Sequence, residues 1–267
     1  MAATSFDLAH QDAVVWLQSL PAASVDLLVT DPAYESLEKH RAIGTTTRLK
    51  HSKASSNDWF TIFPNARFGE LFREVYRVLK PNTHFYLLCD AETMFVAKPE
   101  AEQAGFKFWK PLVWDKCTIG MGYHYRARYE FILFFEKGKR KLNDLGIPDV
   151  MAIPRIRGGY PAEKPAEVAE ILINQSSVPG DLVADPFMGS GSVGVAAARL
   201  GRRFLGNDLN PEAVAIAARR LREFGEGRVP PDLPAEPEPE QFDLLEEVRL
   251  PPSPRLRRTG KPDTTYP

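Results

Sequence analysis

The run Val183-Ala184-Asp185-Pro186-Phe187-Met188-Gly189-Ser190-Gly191-Ser192-Val193-Gly194 limits what this chain can fold into more than any other. An apolar segment ends in an acid and a proline, and a Gly-Ser-Gly turn then opens an alanine-rich stretch. Glycine at 189 and 191 lets the backbone approach a ligand with no Cβ in the way. The helix N-terminus that follows can receive a carboxylate or phosphate. Gly189, Gly191 and Gly194 complete a Gly-x-Gly-x-x-Gly spacing. Asp208 then ends the next strand about 20 residues on, where an acid suits the hydroxyls of a ribose. This is how a nucleotide-cofactor α/β unit begins, yet here it lies two-thirds of the way along. Whatever normally follows such a unit must therefore precede it, which directs attention to Asp31-Pro32-Ala33-Tyr34.

The coarse periodicities agree. Residues 25–30 form a short apolar run ending in Asp-Pro, a buried strand. Residues 67–80 repeat apolar side chains at helical spacing and stop at Pro81. Residues 83–89 predict a strand, 91–105 a helix that Pro99 could break, and 106–114 and 129–135 aromatic strands, the second too apolar for an exposed edge. Residues 164–176 predict an amphipathic helix with Pro165 in its first turn. Strands at 182–184 and 204–207 flank a helix at 192–200, and Pro211 opens a last helix to about 224. Strands alternating with helices imply an α/β fold, a mostly parallel sheet with helices on both faces.

The 267 residues allow one large domain or two small ones. A formal net charge of −1 hides an uneven distribution, with an acidic block at 223–247, a basic end, and a mildly basic body compatible with a polyanionic partner. Cys89 and Cys117 form no Cys-x-x-Cys pair, so a zinc site of that type is excluded, and no metal is expected. Cys89, in an apolar run, reads as a small packing hydrophobe. The N-terminus shows no secretory pattern, and no apolar run nears the roughly 20 residues that span a bilayer. The expectation is a cytoplasmic protein with no membrane association.

Two stretches differ from this body. Residues 35–58 are basic with little apolar periodicity and read as a mobile loop, long enough to be functional. From about 225 onward, proline and charge predict a disordered tail to 267.

At this point a resemblance becomes specific. Asp185-Pro186-Phe187-Met188-Gly189-Ser190-Gly191 resembles the S-adenosylmethionine loop of the amino-methylating DNA methyltransferases, which act on adenine N6 or cytosine N4. Asp31-Pro32-Ala33-Tyr34 is similar to their catalytic Asp-Pro-Pro-Tyr. Catalytic loop first and cofactor loop last matches the circularly permuted β group of that family. Gln11-Asp12-Ala13 resembles the segment whose acid reaches the cofactor adenine. Tyr76-Arg77-Val78-Leu79-Lys80-Pro81 resembles the helix end before the next strand, and Lys164-Pro165 the lead-in that approaches the methionine moiety.

The resemblance implies a Rossmann-like methyltransferase sheet over 1–224. It implies S-adenosylmethionine held by Asp12, Lys164, Asp185, Phe187, Gly189, Ser190, Gly191 and Asp208, and catalysis by Asp31, Pro32 and Tyr34. An exocyclic amino nitrogen is a poor nucleophile, because its lone pair is delocalised into the ring. Two acceptors on its N–H groups, the Asp31 carboxylate and the Pro32 carbonyl, would aim that lone pair at the methyl group. Transfer would be direct, with the gain coming from positioning and electrostatics. The base would be flipped out of the duplex and stacked on Tyr34.

Asp31 favours adenine, since cytosine-N4 members more often carry Ser there. Cytosine N4 and a non-catalytic DNA-binding relative are the alternatives. Ala33, where the family has a second proline, removes a restriction on residue 32. Implied partners are double-stranded DNA, a second copy of the chain and a restriction endonuclease. Three segments could face DNA: 35–58, 107–128 with its interleaved aromatics, and a small target-recognition segment at 137–160.

Overall fold

A computed structural model describes residues 5–36, 61–120, 125–156 and 163–230. The expected 35–58 loop from 37 onward, His124 and the tail beyond 230 lie outside the described residues.

The elements in chain order are β1 (Phe6–His10), α1 (Ala13–Ser19), β2 (Val25–Thr30), α2 (Phe68–Val78), β3 (Leu79–Cys89), α3 (Ala91–Gln103), β4 (Lys107–Asp115), β5 (Tyr129–Lys137), β6 (Val150–Ala152), α4 (Ala166–Ser176), β7 (Leu182–Asp185), α5 (Ser192–Arg199), β8 (Arg203–Asp208), α6 (Pro211–Arg222) and β9 (Gly227–Arg228). The strands form one sheet in the order β6-β4-β5-β3-β2-β7-β8-β1-β9. Only β5 runs against its neighbours, β3 and β4. It is interior, as its apolar run requires.

Each helix follows from its apolar stripe. In α2, Phe68, Leu71, Phe72, Val75 and Val78 are buried at helical spacing. They pack with Trp16 and Leu17 of α1 and Ala97 and Ala101 of α3 on one face of the sheet. On the other face, Leu172 and Ile173 of α4, Val195 and Ala196 of α5 and Val214 of α6 form a second cluster. Both faces are covered, as the strand–helix alternation predicts.

Three boundaries differ from the sequence expectation. The helix expected to end at Pro81 ends at Val78, and β3 begins at Leu79 with Pro81 inside it. A register shift beside Val25 and the left-handed Asn82 (φ 61°) absorb the proline. Pro99 does not break α3. Gly227–Arg228, inside the stretch expected to be tail, pair with β1, which would otherwise be a bare sheet edge.

The expected target-recognition segment 137–160 starts at the far end of the sheet, and its residues 157–160 lie outside the described residues. β5 descends from Tyr129 at the end of the sheet that carries Cys89 to Lys137 at the opposite end, opposite Thr83. Residues 138–149 therefore start at the edge away from Asp31, about 20 Å off along six or seven residues of strand. They are tied down there: the Arg140 carbonyl accepts from His84, and Asn143 donates to the carbonyls of Asn174 and Ser177 at the end of α4. Lys137 donates to the carbonyls of Tyr76 and Leu79. Among the described residues of this segment, β6 runs back toward the end of the sheet that carries Asp31. Charge composition alone could not reveal this, because it carries no strand direction.

Candidate active site

β2 and β7 are neighbours in the sheet and parallel. From β2 the chain proceeds to β3 on one side, and from β7 to β8 on the other. The order therefore reverses between them, which opens a crevice beyond their C-terminal ends. Asp31 follows β2 and Asp185 ends β7, so the two motif loops meet there. A pocket of about 270 Å³ lies at this point. It is lined by Asp31, Pro32 and Tyr34 from one loop and by Asp185, Phe187, Gly189 and Ser190 from the other, with Asp12, Lys164 and Asp208 around them.

Gly191 stands behind the lining. It adopts φ +82° as the N-cap of α5, and a Cβ there would lie 2.9 Å from Ala217. Gly194 meets Phe204 closely, with a Cβ at 2.7 Å, so α5 packs directly on β8. Asp208 ties the loop to the next strand: its carboxylate accepts from Gly189 N at 2.9 Å and from Asn210 N at 2.8 Å. Burial pushes its pKa up, against those two bonds. Ser190 is held from behind, its hydroxyl and carbonyl oxygens both accepting from Arg220 at 2.9 Å.

Asp185 is buried and accepts from Thr30 Oγ1 at 2.6 Å and Phe187 N at 3.0 Å. Burial outweighs these bonds and raises its pKa to about 7. A carboxyl in that state is suited to a cationic ligand group, which would favour its ionised form.

Asp12 caps α1 by accepting from Val14 N and Val15 N. Its carboxylate is also gripped by Arg67 through Nη1 at 2.7 Å and Nη2 at 2.9 Å. The Arg67 bond holds the Asp12 pKa below the usual range, with burial opposing. Arg67 also lies over the Phe63 ring, 5.2 Å from its centroid, and Phe63 meets Phe187 edge-on at 5.1 Å. Phe63 in turn bridges to Tyr34, and its N–H donates to the Ala33 carbonyl at 2.7 Å. Residues 63–67 thus bind the Asp12 end of the pocket to the Asp31 end.

At the Asp31 end the structure adds residues that sequence reasoning missed. Lys164 pairs with Asp31 rather than reaching only toward the cofactor loop, and its Nζ lies 3.4 Å from Glu130 Oε2. Lys116 meets Glu130 Oε1 at 2.5 Å. Burial works against the Lys164 ammonium, but two carboxylates outweigh it and hold its pKa above the lysine range. Burial pushes Asp31 up, with Lys164 opposing. Burial also opposes Glu130 ionisation, but Lys164 and Lys116 prevail and keep its pKa low. Tyr34 is 7% exposed, and burial raises its phenol so that it stays neutral. The Pro32 carbonyl accepts no hydrogen bond among the described residues. Glu130 had a signal in the sequence: it is a lone acid entering the apolar run Phe131–Phe135. Phe63 and Arg67 had none.

Chemically, the site offers two adjacent acceptors, Asp31 and the Pro32 carbonyl, beside an aromatic face and a glycine loop with acids at each end. A type II methyltransferase of Streptococcus pneumoniae, M2.DpnII, is 29% identical over 240 residues, covering 80% of this chain and 88% of that protein. The DNA adenine methyltransferase YhdJ of Escherichia coli is 27% identical over 251 residues, covering 79% and 81%. The structure of a DNA modification methylase from Thermus thermophilus, complexed with S-adenosyl-L-methionine, superposes with a TM-score of 0.61 at 26% identity, covering 84% of this chain and 98% of that one. The model of a family described as DNA methylase, acting at N6 or N4, matches residues 25–150 and 141–219, and the chain belongs to that family.

Proposed function

We propose that this chain moves a methyl group from S-adenosylmethionine to N6 of adenine in double-stranded DNA, acting on a flipped-out base. The observation that carries the reading is the meeting of Asp31-Pro32-Ala33-Tyr34 and the Asp185–Gly191 loop in one crevice between β2 and β7. Asp31 at the catalytic position supports adenine over cytosine, as does the naming of the Escherichia coli relative.

The residues present suit the cofactor. Gly189 gives the pocket bare backbone, Gly191 lets the loop turn into α5, Asp208 stands at the ribose end, Asp12 at the adenine end, and Asp185 beside the charged methionine end. Bound there, the cofactor supplies an activated methyl group on a sulfonium leaving group. The protein's part is positioning. The Asp31 carboxylate and the Pro32 carbonyl accept the two amino N–H groups and turn the nitrogen lone pair toward the methyl. Tyr34 stacks on the base, a contact of roughly 1–3 kcal/mol.

The β4–β5 connection, residues 116–128, leaves the sheet at the catalytic edge. Exposed Ile119, Tyr125 and Tyr129 lie on or beside it. We assign DNA reading to this connection and to the residues after β6, in place of the 138–149 stretch. So small a reading surface suits a short site or help from a second copy of the chain, and a restriction endonuclease is the further partner that the resemblance carries. Among the described residues no helix is long and apolar enough to cross a membrane.

Nucleoside analysis of DNA from an expressing host tests the target base. N6-methyladenine is expected, and N4-methylcytosine in its place overturns the adenine assignment.

A further inference from the structure

Asp31 has two duties that compete. Its carboxylate must accept an amino N–H of the target base, yet its Oδ2 is already occupied by the Lys164 ammonium. An ammonium this little exposed cannot simply be left without an acceptor. Glu130 supplies one. Its Oε1 is taken by Lys116, while Oε2 is buried and accepts no hydrogen bond. That oxygen lies 3.4 Å from Lys164 Nζ, close enough for an ion pair but not aligned as a hydrogen bond. Glu130 lines the same pocket as Asp31.

We propose that Glu130 is a positioning residue for methyl transfer: its Oε2, which accepts no hydrogen bond, takes up the Lys164 ammonium when the target amino group arrives, which releases Asp31 to accept from the base. The inference rests on the methyltransferase reading above. The exchange needs only a small rotation of a flexible lysine stem, and Lys164 keeps a carboxylate partner throughout. Lys116 sets how strongly Glu130 pulls, because the two ammonium groups share one carboxylate. Asp31 also interacts with the Asp185 carboxyl, Tyr34 and Cys89. Among the described residues, the cations that act on Asp31 are Lys164 and Lys116.

Single-turnover transfer of a labelled methyl group to duplex DNA, followed against pH, tests this with the full chain. Wild-type transfer comes first; its absence overturns the methyltransferase reading itself. Given wild-type activity, Glu130→Gln is expected to slow the plateau rate by roughly ten- to a hundredfold, as small misplacements at a reacting centre do. Its acid limb should nonetheless move to lower pH, because Asp31 then keeps Lys164 to itself. Slower transfer from a more readily ionised Asp31 is the signature: loss of the neighbouring charge alone would lower the limb and leave the plateau, whereas loss of the exchange also slows the plateau. Lys116→Met, at a side chain 24% exposed, gives the opposite arm. It frees Glu130 to draw Lys164 away, so the acid limb should move to higher pH. A wild-type plateau for Glu130→Gln, or an acid limb that stays or rises, overturns the proposal. If Glu130→Gln does not fold, an unmoved limb in Lys116→Met overturns it instead.

Discussion

Thr30 Oγ1 donates a 2.6 Å hydrogen bond to the carboxylate of Asp185, joining the last residue of β2 to the last residue of β7. The two strands lie side by side at the point where the strand order reverses. One bond therefore links the loop that carries Asp31 to the loop that carries the glycines. Asp185 is fully enclosed, so its few partners decide both its charge and its direction.

Thr30→Val removes that donor while keeping the shape. A buried hydrogen bond to such a group is worth about 1–3 kcal/mol, so the thermal midpoint should fall accordingly. Asp185 should become harder to ionise, and cofactor affinity measured by calorimetry should drop severalfold. Unchanged stability and affinity together would remove the bond from the account.

Arg67→Met tests the Asp12 grip. The pair is about one-third exposed on each side, so its effect on stability should stay below about 1 kcal/mol. The expected effect is on binding. Asp12 loses the guanidinium that fixes its carboxylate, and cofactor affinity should weaken while unfolding barely changes. Equal affinity in the variant would show that Asp12 is held only as the cap of α1.

Ala33→Pro asks what the departure from a second proline does. The Ala33 carbonyl accepts from Phe63 N, a bond that proline retains. The Ala33 N–H makes no hydrogen bond among the described residues, so proline removes none. The variant is expected to fold with an unchanged thermal midpoint and to transfer methyl groups at least as fast as the native chain. A large loss of stability would show that residue 32 uses the freedom that alanine gives it.

Stability should depend on pH through His84. Its Nε2 donates to the Arg140 carbonyl, and its Nδ1 accepts from Ser176, which in turn accepts from Tyr86. Burial lowers its pKa from 6.5 to about 4. Between those values the unfolded chain binds the proton and the folded one does not, so His84 favours folding at higher pH, and that contribution is lost as pH falls from 6.5 toward 4. The shift bounds it at about 3 kcal/mol. Asp185 runs the other way: its carboxyl, raised to about 7, weakens folding as pH rises from 3.8 toward 7. Urea unfolding of His84→Gln across this window isolates the histidine, and its stability should rise less steeply with pH than the native chain's. An identical slope would contradict the assignment.

Much of this was legible in the sequence because local chemistry dictated it. The glycine loop at 189–194 needs left-handed backbone and close helix packing, and φ +82° at Gly191 with Phe204 against Gly194 are the direct result. The motif order directed attention from the Asp185 loop to Asp31, and the fold brings the two to one crevice. What sequence could not give was direction and long-range partnership. The basic run from Lys137 to Lys141 looked suited to DNA, but the descent of β5 carries it to the far edge. Lys164 was read toward the cofactor, yet it also closes on Asp31, because only the fold brings β5, the Lys116 turn and the start of α4 together. Glu130 was visible as an acid in an apolar strand, but its partners were not.

Whether Asp31 carries methyl transfer to adenine is decided by incubating purified protein with labelled S-adenosylmethionine and duplex DNA, with Asp31→Ala alongside and the labelled nucleoside identified. N6-methyladenine is expected from the native chain and none above background from Asp31→Ala, although that variant still binds the cofactor. Transfer that survives in Asp31→Ala, or a label found on cytosine N4 instead, would contradict the assignment.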